Sequence, residues 1–184
     1  MKVKFILAMV AASVSFSSFS TYGQGTILFN NRVTGQVDAP ISNWDGTPAG
    51  AYGPGVFAQL FLVTGGSTYT PLFPVTTFRQ TPVAAQYYVV QPDTAVTVPG
   101  VPAGAQATIV LRAWGSGETY DTALYKGQSN PVTITLGGIP PGGGAPIQDA
   151  VLVGLQGFVG PIPEPSTVAL GLLGAAVLLG QRRR

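Results

Sequence analysis

The sequence predicts an all-β fold, a single β-sandwich of jelly-roll or immunoglobulin-like kind, on three observations. Val and Thr recur throughout a chain in which only 9% of residues are charged, a balance that favours half-buried pleated surfaces over exposed helices. Short apolar runs are divided by turn formers, 25 Gly and 16 Pro among 184 residues, and no long helical period appears. That length holds one domain of ordinary size once the two ends are set aside.

Eight strands follow in order. Thr26–Arg32 comes first. Val56–Thr64 and Thr68–Phe73 flank Gly65-Gly66, a candidate two-residue hairpin turn. Tyr87–Val90 and Thr94–Val98 come next, and the Gly/Pro-rich stretch from Pro99 to Gly104 reads as a breaker that cannot continue a ladder. Ala105–Trp114 is almost continuously apolar, as in a central strand covered on both faces, so its Arg112 is expected to be paired or at a strand end. Val132–Leu136, a second breaker at 137–144 and Ala150–Phe158 complete the set. The domain spans 24–160.

The segments on either side have another character. Lys2 and Lys4 precede an apolar run, Phe5 to Val14, and a Ser-rich stretch, the order of a secretory signal peptide over 1–23. Small residues at Thr21 and Gly23 place the cut between Gly23 and Gln24, with Ser18 and Ser20 as the alternative. An uncleaved anchor needs ~20 apolar residues, and the run has about half of that. After residue 160 come Pro161-Ile162-Pro163-Glu164-Pro165-Ser166, an uncharged apolar helix from Thr167 to Gly180, and Arg182, Arg183 and Arg184. The arginines stop transfer on the cytoplasmic side, so the domain faces outward. A core helix would carry a polar stripe, and this one has none. At 1.5 Å per residue the helix reaches ~21 Å, short of the ~30 Å hydrocarbon core, which favours a temporary hold over a lasting anchor. The prolines keep the chain around Glu164 extended.

This tail resembles the PEP-CTERM sorting domain of exported bacterial proteins. The resemblance implies that Pro163, Glu164, Pro165 and Ser166 form the motif read by an exosortase-type membrane protease. It implies as well that the helix holds the chain in the inner membrane, and that cutting occurs near the motif. Glu164, the tail's lone carboxylate, is the residue expected to be read. Leu111-Arg112-Ala113-Trp114, Thr119-Tyr120-Asp121, Lys126–Ser129, Val132–Gly137 and Gly25–Arg32 also resemble a loose pattern in chains sharing this tail, a likeness that implies a shared fold and no activity.

The pI near 9.0 comes from those ends. Between Gln24 and Ile162 the bases are Arg32, Arg79, Arg112 and Lys126, against Asp38, Asp45, Asp93, Glu118, Asp121 and Asp149, a net charge of −2. Nucleic acid is not an expected partner, since phosphate neutralisation needs clustered Lys and Arg. With neither Cys nor His, disulfides, thiolate or imidazole metal sites and Ser-His-Asp or Cys-His nucleophiles are excluded. No catalytic, cofactor-binding or metal residue is assigned.

Three constellations come closest to chemistry. Glu118 and Asp121 resemble a glycosidase carboxylate pair in type, but their Gly-Ser-Gly flank reads as a solvated turn. Asp38, Asn43 and Asp45 offer calcium-type oxygens at a spacing that matches no EF-hand or repeat loop. Trp44, Tyr52, Trp114, Tyr120 and Tyr125 are the material of a sugar-stacking face. Trp44 and Tyr52, in a Gly/Pro/Asp-rich loop, are the ones expected at the surface, and Trp114 is expected in the core. The leading expectation is therefore a non-enzymatic structural protein of the cell surface or extracellular matrix, associated with exopolysaccharide. A carbohydrate-binding module is the alternative, and a glycoside hydrolase ranks below both.

Overall fold

A computed structural model describes residues 23–43, 45–115 and 119–160. The expected signal peptide before Gly23, Trp44, Glu118 and the whole tail from Pro161 to Arg184, with Pro163, Glu164, Pro165, Ser166 and the three arginines, lie outside the described residues.

The chain forms β1 (Gln24–Ile27), β2 (Arg32–Val33), β3 (Val37–Asp38), β4 (Ile41–Ser42), β5 (Val56–Thr64) and β6 (Thr68–Thr77). After these come β7 (Val96–Pro102), β8 (Gln106–Gly115), β9 (Tyr125–Gln128), β10 (Val132–Thr135) and β11 (Phe158–Val159). Among the described residues helix is confined to two 3-10 segments, Ala49–Gly55 and Val83–Ala85. Among the described residues no helix is long and apolar enough to cross a membrane.

The principal sheet runs β10-β8-β5-β6, all antiparallel, with β9 beside β10 on the same edge of β8. Ser129 bridges that break: its amide donates to Leu111 O, and its hydroxyl accepts from Leu111 N. Side chains of β8 alternate in direction, as a pleated strand requires. Ala107, Ile109, Leu111 and Ala113 enter the core with Val56, Ala58, Leu60 and Leu62 of β5, and each large aliphatic so buried contributes about 1.5–3 kcal/mol. The same core takes Ile27, Val96 and Val98 from the β1–β7 pair, Val37 from the β2–β3 pair, Ile41 from the parallel β4–β11 pair, and Leu152 and Leu155. The large sheet thus shares its core with three separate two-stranded pairs and a loop.

Asn31 ties these pieces together. Fully buried, it donates to Ala39 O and Tyr87 O and accepts from Val89 N.

Several strand expectations need correction. The Gly65-Gly66 turn forms where expected, with φ of 58° and 79°, but Thr64 pairs with Thr68, so the connection has three residues rather than two. β6 runs through Pro74 to Thr77, which an edge strand tolerates because its outer N–H groups have no ladder partner. The Pro99–Gly104 breaker lies partly inside β7: opposite Gln24 and Gly25 the partners jump from Pro102 to Val98, and the ladder skips the residues between. Tyr87–Val90 makes only a bridge, Phe78 to Val89. Ala150–Phe158 bridges Ile27 at its first residue and joins β4 at its last. In between it turns at Gly154, at φ 90°.

Candidate functional site

The alternation that sends Leu111 and Ala113 into the core turns Arg112 and Trp114 to the sheet's outer face. Register then gathers neighbours. Gln59 pairs with Arg112, Phe61 with Val110 and with Pro71, and Tyr69 stands two residues from Pro71 on the same face. Between Ala58 and Leu60 the partners on β6 jump from Thr76 to Leu72, a bulge carrying Phe73, Pro74 and Val75. Bulges re-aim side chains, and here Phe73 is left 69% exposed.

These residues, with Thr119, Tyr120 and Asp121 from the loop after β8, line an open cleft of about 530 Å³. That volume falls within the roughly 300–1,000 Å³ typical of small-ligand sites. Five of its eleven lining residues are aromatic. Phe61 and Tyr120 lie 6.2 Å apart between centroids, and Trp114 meets Tyr120 edge-on at 6.3 Å.

Arg112 sits at the bottom, 8% exposed, its guanidinium carbon 3.7 Å from the Tyr69 centroid, 4.4 Å from Tyr120 and 4.7 Å from Phe61. Of the two expectations for this arginine, the strand end is corrected, since it occupies the interior of β8; its partner is Gln128, and among the described residues no carboxylate pairs with it. Nε donates to Gln128 Oε1 at 3.2 Å. Burying a lone cation costs several kcal/mol. Three ring faces at about 0.5–2 kcal/mol each and one charged hydrogen bond of about 1.5–3 kcal/mol offset much of that.

Burial raises the Tyr120 phenol above its ordinary 10.0, a rise that nearby Arg112 opposes. Lys126 flanks the same ring, Nζ 5.3 Å from its centroid, and donates to Asp121 O at 3.1 Å.

Trp114 is buried as expected, but on the face away from the core cluster. Among the described residues its Nε1 and Asn43 Oδ1 are buried without a hydrogen-bond partner, and both residues line a cavity of about 10 Å³, the size of one water.

The other sequence candidates fall elsewhere. Tyr52 is 45% exposed, its hydroxyl 3.5 Å from Asp45 Oδ2, and is not part of the cleft wall. Asp45 accepts from the Thr47 hydroxyl and amide, which hold its carboxyl below the ordinary 3.8. Asn43 donates to Thr47 and Pro48, while Asp38 accepts from the Tyr88 hydroxyl at 2.7 Å. Among the described residues no cluster of three or more Asp, Glu, His or Cys occurs. Asp121 reaches the cleft, and Glu118 is outside the described residues.

Sequence reasoning passed over Phe61, Tyr69, Phe73 and Arg112. A signal was present in Tyr69, Pro71, Phe73 and Val75, which put four apolar side chains on one face of a strand whose other face gives only Leu72 to the core. Such a run on a solvent face marks a binding surface.

No curated protein and no solved structure matches the chain. The family model of the PEP-CTERM protein-sorting motif matches residues 161–184. The chain therefore carries a PEP-CTERM protein-sorting motif at its C-terminus, which implies an exported protein held at the membrane for sorting by an exosortase, itself a membrane protein.

Proposed function

We propose that this is a non-enzymatic protein of the cell surface or extracellular matrix that holds exopolysaccharide in the aromatic cleft of its β-sandwich. The large sheet is one layer of that sandwich, and the three strand pairs are the other. One observation carries the reading, the convergence of Phe61, Tyr69, Phe73 and Tyr120 around an open cleft of about 530 Å³. Ring faces pack against the apolar faces of pyranose rings, while a few polar groups fix orientation. A non-catalytic role is supported by the lack of His and Cys in the sequence. Glycosidic hydrolysis takes two carboxyl groups, and among the described residues Asp121 alone brings one to the cleft.

Retardation in native gels cast with bacterial exopolysaccharides tests this. Binding should be lost in Tyr69→Ala and Phe73→Ala. Retardation that survives both and disappears in Tyr52→Ala would move the site to the loop, and no retardation by any polysaccharide would end the proposal. Reducing ends released by the parent protein and not by Asp121→Asn would make it a hydrolase.

A further inference from the structure

We infer that the cleft takes an anionic polysaccharide, one whose sugar units carry carboxylate or sulfate groups, and that Arg112 docks the oxyanion. The inference rests on the polysaccharide reading above and names the class of polymer. Arg112 is more than nine-tenths buried, yet it lines the cleft. Of its donors, Nε is taken by Gln128, while the two terminal nitrogens find no acceptor among the described residues. Tyr69, Tyr120 and Phe61 crowd the guanidinium with ring surface that accepts no such hydrogen bond. What remains is a two-pronged donor edge, the geometry that pairs bidentately with carboxylate and other oxyanions.

Charge selects among ligands that could use this edge. A neutral hydroxyl satisfies one N–H and brings no charge, whereas an oxyanion satisfies two and supplies a counter-charge that no described residue places on Arg112. Lys126, beside Tyr120, adds a second positive group at the flank. Asp121 is the opposing group of the wall; it is exposed, where water screens it, and Lys126 is bonded to its carbonyl.

Calorimetric titration of the purified protein with three probes tests the inference: oligogalacturonate, its carboxyl-reduced neutral counterpart, and chondroitin sulfate oligosaccharide. At least one charged probe should bind about tenfold or more tighter than the neutral one, and the two charged probes separate carboxylate from sulfate. Arg112→Lys keeps the charge and loses the fork, so it should weaken charged-probe binding about tenfold and narrow the gap between charged and neutral affinities. Phe73→Ala, at an exposed position, should weaken all probes alike. Should Arg112→Lys fail to fold, salt decides, because charged-probe affinity must fall between about 20 and about 500 mM NaCl while neutral binding holds. Equal binding of charged and neutral probes would overturn the inference and leave the polysaccharide reading standing. Charged-probe binding that a folded Arg112→Lys retains in full would overturn it too. Failure of these probes and of every neutral polysaccharide would remove both.

Discussion

Every polar atom of the Asn31 side chain is used, and none of it reaches solvent. Asn31→Ala leaves one amide and two carbonyls of different segments buried without this partner. Each unsatisfied group costs about 1–3 kcal/mol, so a loss of at least ~2 kcal/mol is expected in denaturant unfolding. Tyr88 makes a prediction in pH. Its hydroxyl donates to Asp38, and burial first, then that carboxylate, raise the phenol above 10.0. A group with a raised folded value contributes fully below its unfolded value and loses that contribution as pH climbs through the folded one. Stability followed by denaturant midpoint should therefore drop above pH 10, and the slope should be shallower in Tyr88→Phe.

Among the elements, the turn after β10 is the place where one methyl group decides most. A Cβ on Gly137 would strike the main chain of Gln148 and Asp149, which cannot swing aside, whereas a Cβ on Gly144 meets only Pro140 at 3.6 Å. Gly137→Ala should lower the melting temperature by several degrees, and Gly144→Ala should stay within about 0.5 kcal/mol of the parent. Legibility differs between strands for physical reasons. Val56–Thr64 was readable end to end because it is buried on both faces and written in strand-forming residues. Ala150–Phe158 looked alike in composition, but Leu152 and Leu155 reach the core from turns, which no two-residue period describes. The aromatic residues were each visible in the sequence, yet the site was not. Phe61 and Arg112 meet through the pairing of β5 with β8, a register between segments some fifty residues apart that local pattern does not encode, and Tyr69 joins them through the pairing of β5 with β6.

At the scale of the molecule, a domain of net charge −2 presents a buried cation at the one large aromatic cleft described, so the attraction for an anion is local and short in range. Where the chain goes depends on the matched motif, and its lone carboxylate supplies a direct test. Glu164→Ala should accumulate uncut in the membrane fraction while the parent matures, as intact-mass measurement of the two would show.

The end of the described fold bears on that event. Gly160 donates to Ser42 O at 2.7 Å, and its Cα packs so closely on Gly127 that a Cβ there would meet it at 2.9 Å. Pro163 follows three residues later, a leash of at most ~10 Å. A protease that grips the motif therefore works close to Gly160, within the reach that covalent geometry allows. The folded domain becomes part of the substrate's outline, and its bulk limits which enzymes can come close enough to cut.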